Sequence, residues 1–76
     1  MITVKLYGLL RLDSGIKEKE LEAGSVKEVL KALEGCGISK KDLNGCVILV
    51  NAAPANKFSK LKDGDVVQLL SPVAGG

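Results

Sequence analysis

A carboxylate at the end of a narrow arm is the group best placed to do chemistry in this 76-residue chain. The arm is Ser71-Pro72-Val73-Ala74-Gly75-Gly76, and it follows an apolar run, Val66-Val67-Gln68-Leu69-Leu70, that reads as a final strand. Glycine has no Cβ, so Gly75 and Gly76 fit a channel too tight for other residues and let the backbone approach a nucleotide closely. Pro72 fixes its own φ and pushes Ser71 toward an extended conformation. Six extended residues at up to about 3.3 Å each span about 20 Å, enough to enter another protein's active site. A carboxylate is a poor acyl donor, but an ATP-using partner can convert that of Gly76 to an acyl-adenylate with AMP as leaving group. Attack by sulfur then gives a thiocarboxylate; attack by a lysine amine gives an isopeptide bond.

The rest of the chain lacks the groups for self-contained catalysis. There is no histidine, which removes the Ser-His-Asp and Cys-His arrangements and the commonest general base. No glycine-rich phosphate loop occurs. Cys36 and Cys46 form no C-x-x-C pair and cannot hold zinc alone. Cys46 opens an apolar strand as a small core residue, while Cys36 sits in a loop between Gly35 and Gly37. Asp63 and Asp65 flank Gly64 and suit a turn better than acid/base work. The chain is therefore expected to be no enzyme on its own, and to bind no cofactor or metal.

Eleven basic residues against nine acidic give a net charge of +2, too weak a field for a polyanion partner. With only Tyr7 and Phe58 as aromatics, bases would find almost no rings to stack on. Nucleic acid is not an expected partner. Lys57, Lys60 and Lys62, with Lys40 and Lys41 elsewhere, read most simply as a solvated basic face, or else as a dock for an acidic partner. No apolar run approaches a membrane span and no signal-peptide core is seen, so a soluble cytoplasmic protein with reduced thiols is expected.

One domain over residues 1–70 must position the tail at 71–76. Ile2, Val4 and Leu6 alternate with Thr3, Lys5 and Tyr7 as a half-buried strand. Asp13-Ser14-Gly15 marks a turn, and Ile16 to Glu22, rich in alternating charge, suits a solvent-facing second strand of a hairpin. Ser25-Val26-Lys27-Glu28 is a capping box. It opens a helix of about ten residues in which Val26, Val29, Leu30 and Leu33 form one face and Gly35 or Gly37 provides the left-handed stop. Ser39 to Leu43 fits one more short helical turn. Asn44-Gly45 then leads into Cys46 to Val50, a continuous apolar strand expected at the sheet centre. Asn51 to Asn56 reads as a loop and Asp63-Gly64-Asp65 as a turn before the last strand. The order ββαββ, with the first and last strands side by side, implies an α+β fold: a mixed sheet of four or five strands crossed by one main helix.

This pattern resembles the MoaD/ThiS-type ubiquitin-like sulfur carriers, whose fold is the β-grasp, and most closely those that serve as small subunits of molybdopterin synthases. The matching stretches are Met1-Ile2-Thr3-Val4-Lys5-Leu6-Tyr7 with Arg11, the Gly24 to Leu30 helix start, Val50-Asn51, and Leu61 to Val67 leading to Pro72-Val73-Ala74-Gly75-Gly76. The chain departs from the family in carrying Ser71 and Leu70 where a second proline and an aromatic are common. The resemblance implies that Gly76 is adenylated by an E1-like enzyme and converted to a thiocarboxylate by a sulfur donor system. The tail, Pro72 to Gly75 included, would then enter the large synthase subunit and sulfurate the pterin precursor of molybdenum cofactor. A thiazole-forming carrier, a ubiquitin-like modifier and a non-covalent adaptor are the alternatives. If Val67 and Leu69 face the helix, strand alternation turns Leu70 outward, and Leu70, Val73 and Tyr7 become the candidate partner contacts. The opposite register would make Leu70 core.

Overall fold

The computed structural model describes residues 1–71. Its elements run β1 (Ile2–Tyr7), α1 (Leu9–Ser14), β2 (Glu18–Leu21), α2 (Val26–Gly35), α3 (Lys40–Asn44), β3 (Val47–Val50), β4 (Ala53–Ala55) and β5 (Val66–Leu70). The five strands form one sheet in the order β2-β1-β5-β3-β4. β1 and β5 pair in parallel, with Thr3 opposite Val66 and Tyr7 opposite Leu70; the other pairs are antiparallel. This mixed sheet with its packed helices is the ubiquitin-like β-grasp.

One face of the sheet carries the core. Ile2, Val4 and Leu6 of β1 and Val67 and Leu69 of β5 are buried together with Val29 and Leu33 of α2, Leu10 of α1, Ile38 and Leu43. Period-2 alternation in the strands and the i, i+3, i+7 spacing of Val26, Val29 and Leu33 put these aliphatic groups on facing surfaces. α2 begins at Ser25, whose Oγ accepts the Glu28 N–H at 3.4 Å. The reciprocal half of the capping box takes another form: the Ser25 hydroxyl donates to Glu28 Oε2 at 3.3 Å. α2 ends in a Schellman motif, with the Gly37 N–H on the Glu34 carbonyl and the Ile38 N–H on that of Leu33. Gly37, at φ 98°, takes the left-handed position rather than Gly35.

Three sequence expectations are corrected. The stretch between β1 and β2 contains the helix α1, not a turn alone; Gly15, left-handed at φ 74°, ends it. The segment expected as a loop at 51–56 contains β4, paired with β3 from Val50–Ala53 to Ile48–Ala55. Asn51 and Ala52, both at positive φ (51° and 67°), form the two-residue left-handed turn that the twist of a hairpin favours. The sheet centre is β5, not β3. β3 starts at Val47, which is 55% exposed, and only three-residue β4 lies beyond it.

Candidate functional site

β5 leads directly to Ser71, the last described residue, so what grips β5 sets where the chain leaves the sheet. At its entry, Asn51 and Asp65 form a clasp. The Asn51 N–H donates to the Val66 carbonyl (2.8 Å) and the Val66 N–H to Asn51 Oδ1 (3.0 Å). Asn51 Nδ2 reaches Asp65 Oδ1 at 2.9 Å, and the Lys62 N–H reaches Asp65 Oδ2 at 2.9 Å. Asp65 is only 6% exposed, and these donors make its burial tolerable. The Lys62 backbone N–H first, then the Asn51 amide, hold its carboxyl below the ordinary carboxylate range against the opposing effect of burial. Asp65 thus builds the turn, as the sequence indicates.

At its exit, β5 ends beside the start of α1. Ser71 Oγ accepts the Leu10 N–H at 3.1 Å and its hydroxyl donates to the Tyr7 carbonyl at 3.3 Å. α1 has no side-chain cap of its own at Gly8, and Ser71 supplies one from the far end of the chain. The approach is close: a Cβ on Gly8 would lie 2.8 Å from both the carbonyl oxygen and Oγ of Ser71. Gly8 also sits at φ 66°, ψ −139°, a region essentially closed to other residues. Ser14 closes the other end of α1, donating from Oγ to the Leu10 carbonyl at 2.6 Å and accepting the Ile16 N–H at 3.0 Å.

Around this root lies the outer face of the sheet. Val67 and Leu69 are fully buried, so Val66, Gln68 and Leu70 point outward, and Leu70 is half-buried on that face rather than core. The register places Tyr7, Leu70 and Val47 in one row across β1, β5 and β3. Leu49, opposite Gln68, extends this apolar strip by one position. Gln68 Nε2 donates to the Tyr7 hydroxyl at 3.2 Å and fixes the ring. Farther across the same face the surface turns polar at Lys5 and Glu18, whose charges stand 4.0 Å apart. An apolar row beside a chain exit, edged by charge, suits a protein partner that takes hold of the domain and the tail together.

Of the expected site residues, Tyr7 and Leu70 are brought side by side. Pro72, Val73, Ala74, Gly75 and Gly76 lie outside the described residues. Val47 and Leu49 were missed because β3 read as doubly buried; the signal was its next-to-edge position, which exposes one side of a continuous apolar run. Ser71 and Gly8 were missed because their contact spans the chain. Cys36 is exposed and Cys46 half-buried, both free thiols. Burial pushes the Cys46 thiol up from its ordinary value, and it donates to the Leu43 carbonyl at 2.9 Å, so it stays an inert thiol rather than a thiolate nucleophile. Among the described residues no group of three or more acidic, Cys or His side chains is arranged for a metal ion, and no helix is long and apolar enough to cross a membrane.

The model of the ThiS family matches residues 4–76. Among solved structures, a chain in the complex of subunits 1 and 2 of the molybdopterin-converting factor from Helicobacter pylori is similar at 32% identity. That match has a TM-score of 0.74 and covers 99% of this chain and 97% of that one. The small archaeal modifier protein 1 of Methanosarcina acetivorans is similar at 29% identity and a TM-score of 0.72, covering 99% and 95% of the two chains. A chain of the BexX/CysO complex of Amycolatopsis orientalis shares 25% identity at a TM-score of 0.74 over the whole of both chains. None of the curated proteins compared with the chain matches it.

Proposed function

The chain belongs to the ThiS family of ubiquitin-like sulfur carriers, and from that premise we propose that it is the sulfur-carrying subunit of a molybdopterin synthase. The observation that carries this reading is the 32% identity, over nearly the full length of both chains, with a chain of the Helicobacter pylori molybdopterin-converting factor complex. The apolar row at Tyr7, Leu70 and Val47 supports it, because a carrier without active-site side chains needs a surface by which its partners hold it.

The chemistry belongs to Gly76. In an E1-like partner, a carboxylate oxygen of Gly76 attacks the α-phosphorus of ATP, and pyrophosphate leaves. Sulfur supplied at the sulfide level then displaces AMP from the acyl-adenylate and loses its proton, leaving a thiocarboxylate. In the large synthase subunit this sulfur attacks a carbon of the pterin precursor and displaces an oxygen leaving group, which departs with the electron pair of the broken carbon–oxygen bond. Water cleaves the acyl–sulfur bond, which returns an oxygen to Gly76 and leaves sulfur on the pterin. Pro72 to Gly75 are the arm that enters both partners, and Leu70, Val73 and Tyr7 are the contacts by which they grip it. ATP is the activating partner's substrate, so the carrier needs no cofactor of its own.

Intact mass with C-terminal fragmentation, on protein purified from its own host, tests the proposal. Sulfur in place of one oxygen at Gly76 is the expected result. A plain carboxylate, even after incubation with host extract and ATP, would overturn it in favour of a non-covalent adaptor. Lysine-branched peptides ending in Gly75-Gly76 would favour a protein modifier, the second reading, to which the similarity with the Methanosarcina acetivorans modifier points. A thiocarboxylate whose sulfur passes to a thiazole instead of a pterin would keep the carrier chemistry and change the acceptor.

A further inference from the structure

On the helical side of the β3–β4 edge, a cleft of about 510 Å³ runs between α2, α3 and the sheet. A second hollow of about 240 Å³ continues it along α2, and the two share Leu30, Leu43, Asn44 and Lys57. Leu30, Leu43, Ile48 and Ala55 give the groove apolar walls. Lys27, Lys31, Lys40 and Lys57 stand around it, with Glu34 as the one acidic lining residue. Among the described residues none of these four lysines is in a salt bridge. The whole chain has eleven basic and nine acidic residues; without these four lysines and Glu34, seven basic residues face eight acidic ones. The positive charge of the protein is therefore concentrated on this groove. Of the lysines read from sequence as one basic face, Lys40 and Lys57 line it, whereas Lys60, Lys62 and Lys41 do not, and two α2 lysines replace them.

The groove's border with solvent is β4, an edge strand with Pro54 at its middle. Proline has no N–H to offer, so this edge is a poor template for an added strand. Whatever docks here is recognised by its side chains. Lys57 Nζ lies 5.4 Å from the centre of the Phe58 ring, and among the described residues no carboxylate pairs with any of the four ammonium groups. Apolar walls beneath them fit one or two aliphatic side chains flanked by carboxylates.

We propose that this groove is a docking site for an acidic linear peptide of a partner protein, whose aliphatic anchors seat between Leu30, Leu43, Ile48 and Ala55 while its carboxylates meet Lys27, Lys31, Lys40 and Lys57. Such a dock borders the outer row at Val47, which lines the groove as well, while its other walls lie away from Tyr7 and Leu70, and it is independent of the chemistry at Gly76.

The probe is the synthetic peptide Glu-Glu-Leu-Leu-Glu-Glu, titrated into 15N-labelled protein. Expected are amide shift changes centred on Leu30, Leu43, Ile48 and Ala55. The double reversal Lys31→Glu with Lys57→Glu, both at exposed positions, should keep the native spectrum and weaken binding about tenfold or more. Replacing the two leucines of the peptide by alanine should weaken it comparably. Changes centred on Tyr7 and Leu70, or spread over all lysines, would overturn the proposal. So would equal binding of the alanine peptide, or no shift change at millimolar peptide.

Discussion

Replacing Gly8 by alanine tests whether the tail's root is clamped as described. The new Cβ would lie 2.8 Å from the Ser71 carbonyl oxygen and from its Oγ. A different Ser71 rotamer relieves the second clash but not the first, which involves backbone. To recover the 3.4 Å of an ordinary contact from 2.8 Å, the root must retreat by about 0.6 Å. That movement pulls Ser71 Oγ from the Leu10 N–H and the Tyr7 carbonyl. The dihedrals of Gly8 cost an L-residue about 1–3 kcal/mol, and two part-buried hydrogen bonds contribute about 0.5–1.5 kcal/mol each. Gly8→Ala should therefore destabilise the domain by about 2–6 kcal/mol, a large share of the roughly 4–11 kcal/mol expected for a chain of this size. Urea unfolding followed by circular dichroism measures it, beside Ser71→Ala, which removes only the hydrogen bonds and should cost about 1–3 kcal/mol. If Gly8→Ala stayed within about 0.5 kcal/mol of the parent, the close approach of the two chain ends would not exist in solution.

Leu70→Asp, on the outer face, should cost under about 1.5 kcal/mol in urea unfolding yet abolish association with the tail's partners in calorimetry; unfolding instead would place Leu70 in the core. Ala52→Gly should raise stability by about 0.5–1 kcal/mol, because Ala52 holds φ 67° in the β3–β4 turn, a cost that glycine avoids for want of a Cβ and that its freer unfolded chain offsets only in part. Asp65 has a folded pKa below its unfolded one, so its contribution is fully present above about pH 4 and is lost as pH falls through the folded value. Asp65→Asn should flatten the loss of stability between about pH 5 and pH 2, and an unchanged slope would remove Asp65 from the acid response.

Most of the frame was legible because it is written in local periods. Ile2 to Tyr7 alternates, Val66 to Leu70 is apolar and follows a turn, and α2 carries its own cap and stop at Ser25 and Gly37. α1 was not legible, for a physical reason: Leu10 is its single buried residue, so there is no period to read, and its capping hydroxyl comes from Ser71. β4 was hidden by Pro54, which usually marks a loop but is tolerated on an edge strand. The centre of the sheet was misjudged because hydrophobicity alone ranks Val47 to Val50 as the most buried strand. Its outward residues form part of the apolar row on the outer face, so an exposed apolar row looks like core in one dimension. Alternation offered two registers for Leu70, and the burial of Val67 and Leu69 selects the one that turns Leu70 to the outer face beside Tyr7.

The central position of β5 also governs the order of events during folding. Until Val66 to Leu70 is in place, β1 with β2 and β3 with β4 are two separate hairpins, each marginal by itself. The strand that joins them precedes the tail directly and pairs with residues more than sixty positions away. Loop closure on that scale comes before most of the reward, so the sheet is completed only once Val66 to Leu70 is available to pair. If an activating enzyme grips Tyr7, Leu70 and Val47, as proposed, it inspects the fold itself, because the row exists only once β1, β5 and β3 are paired.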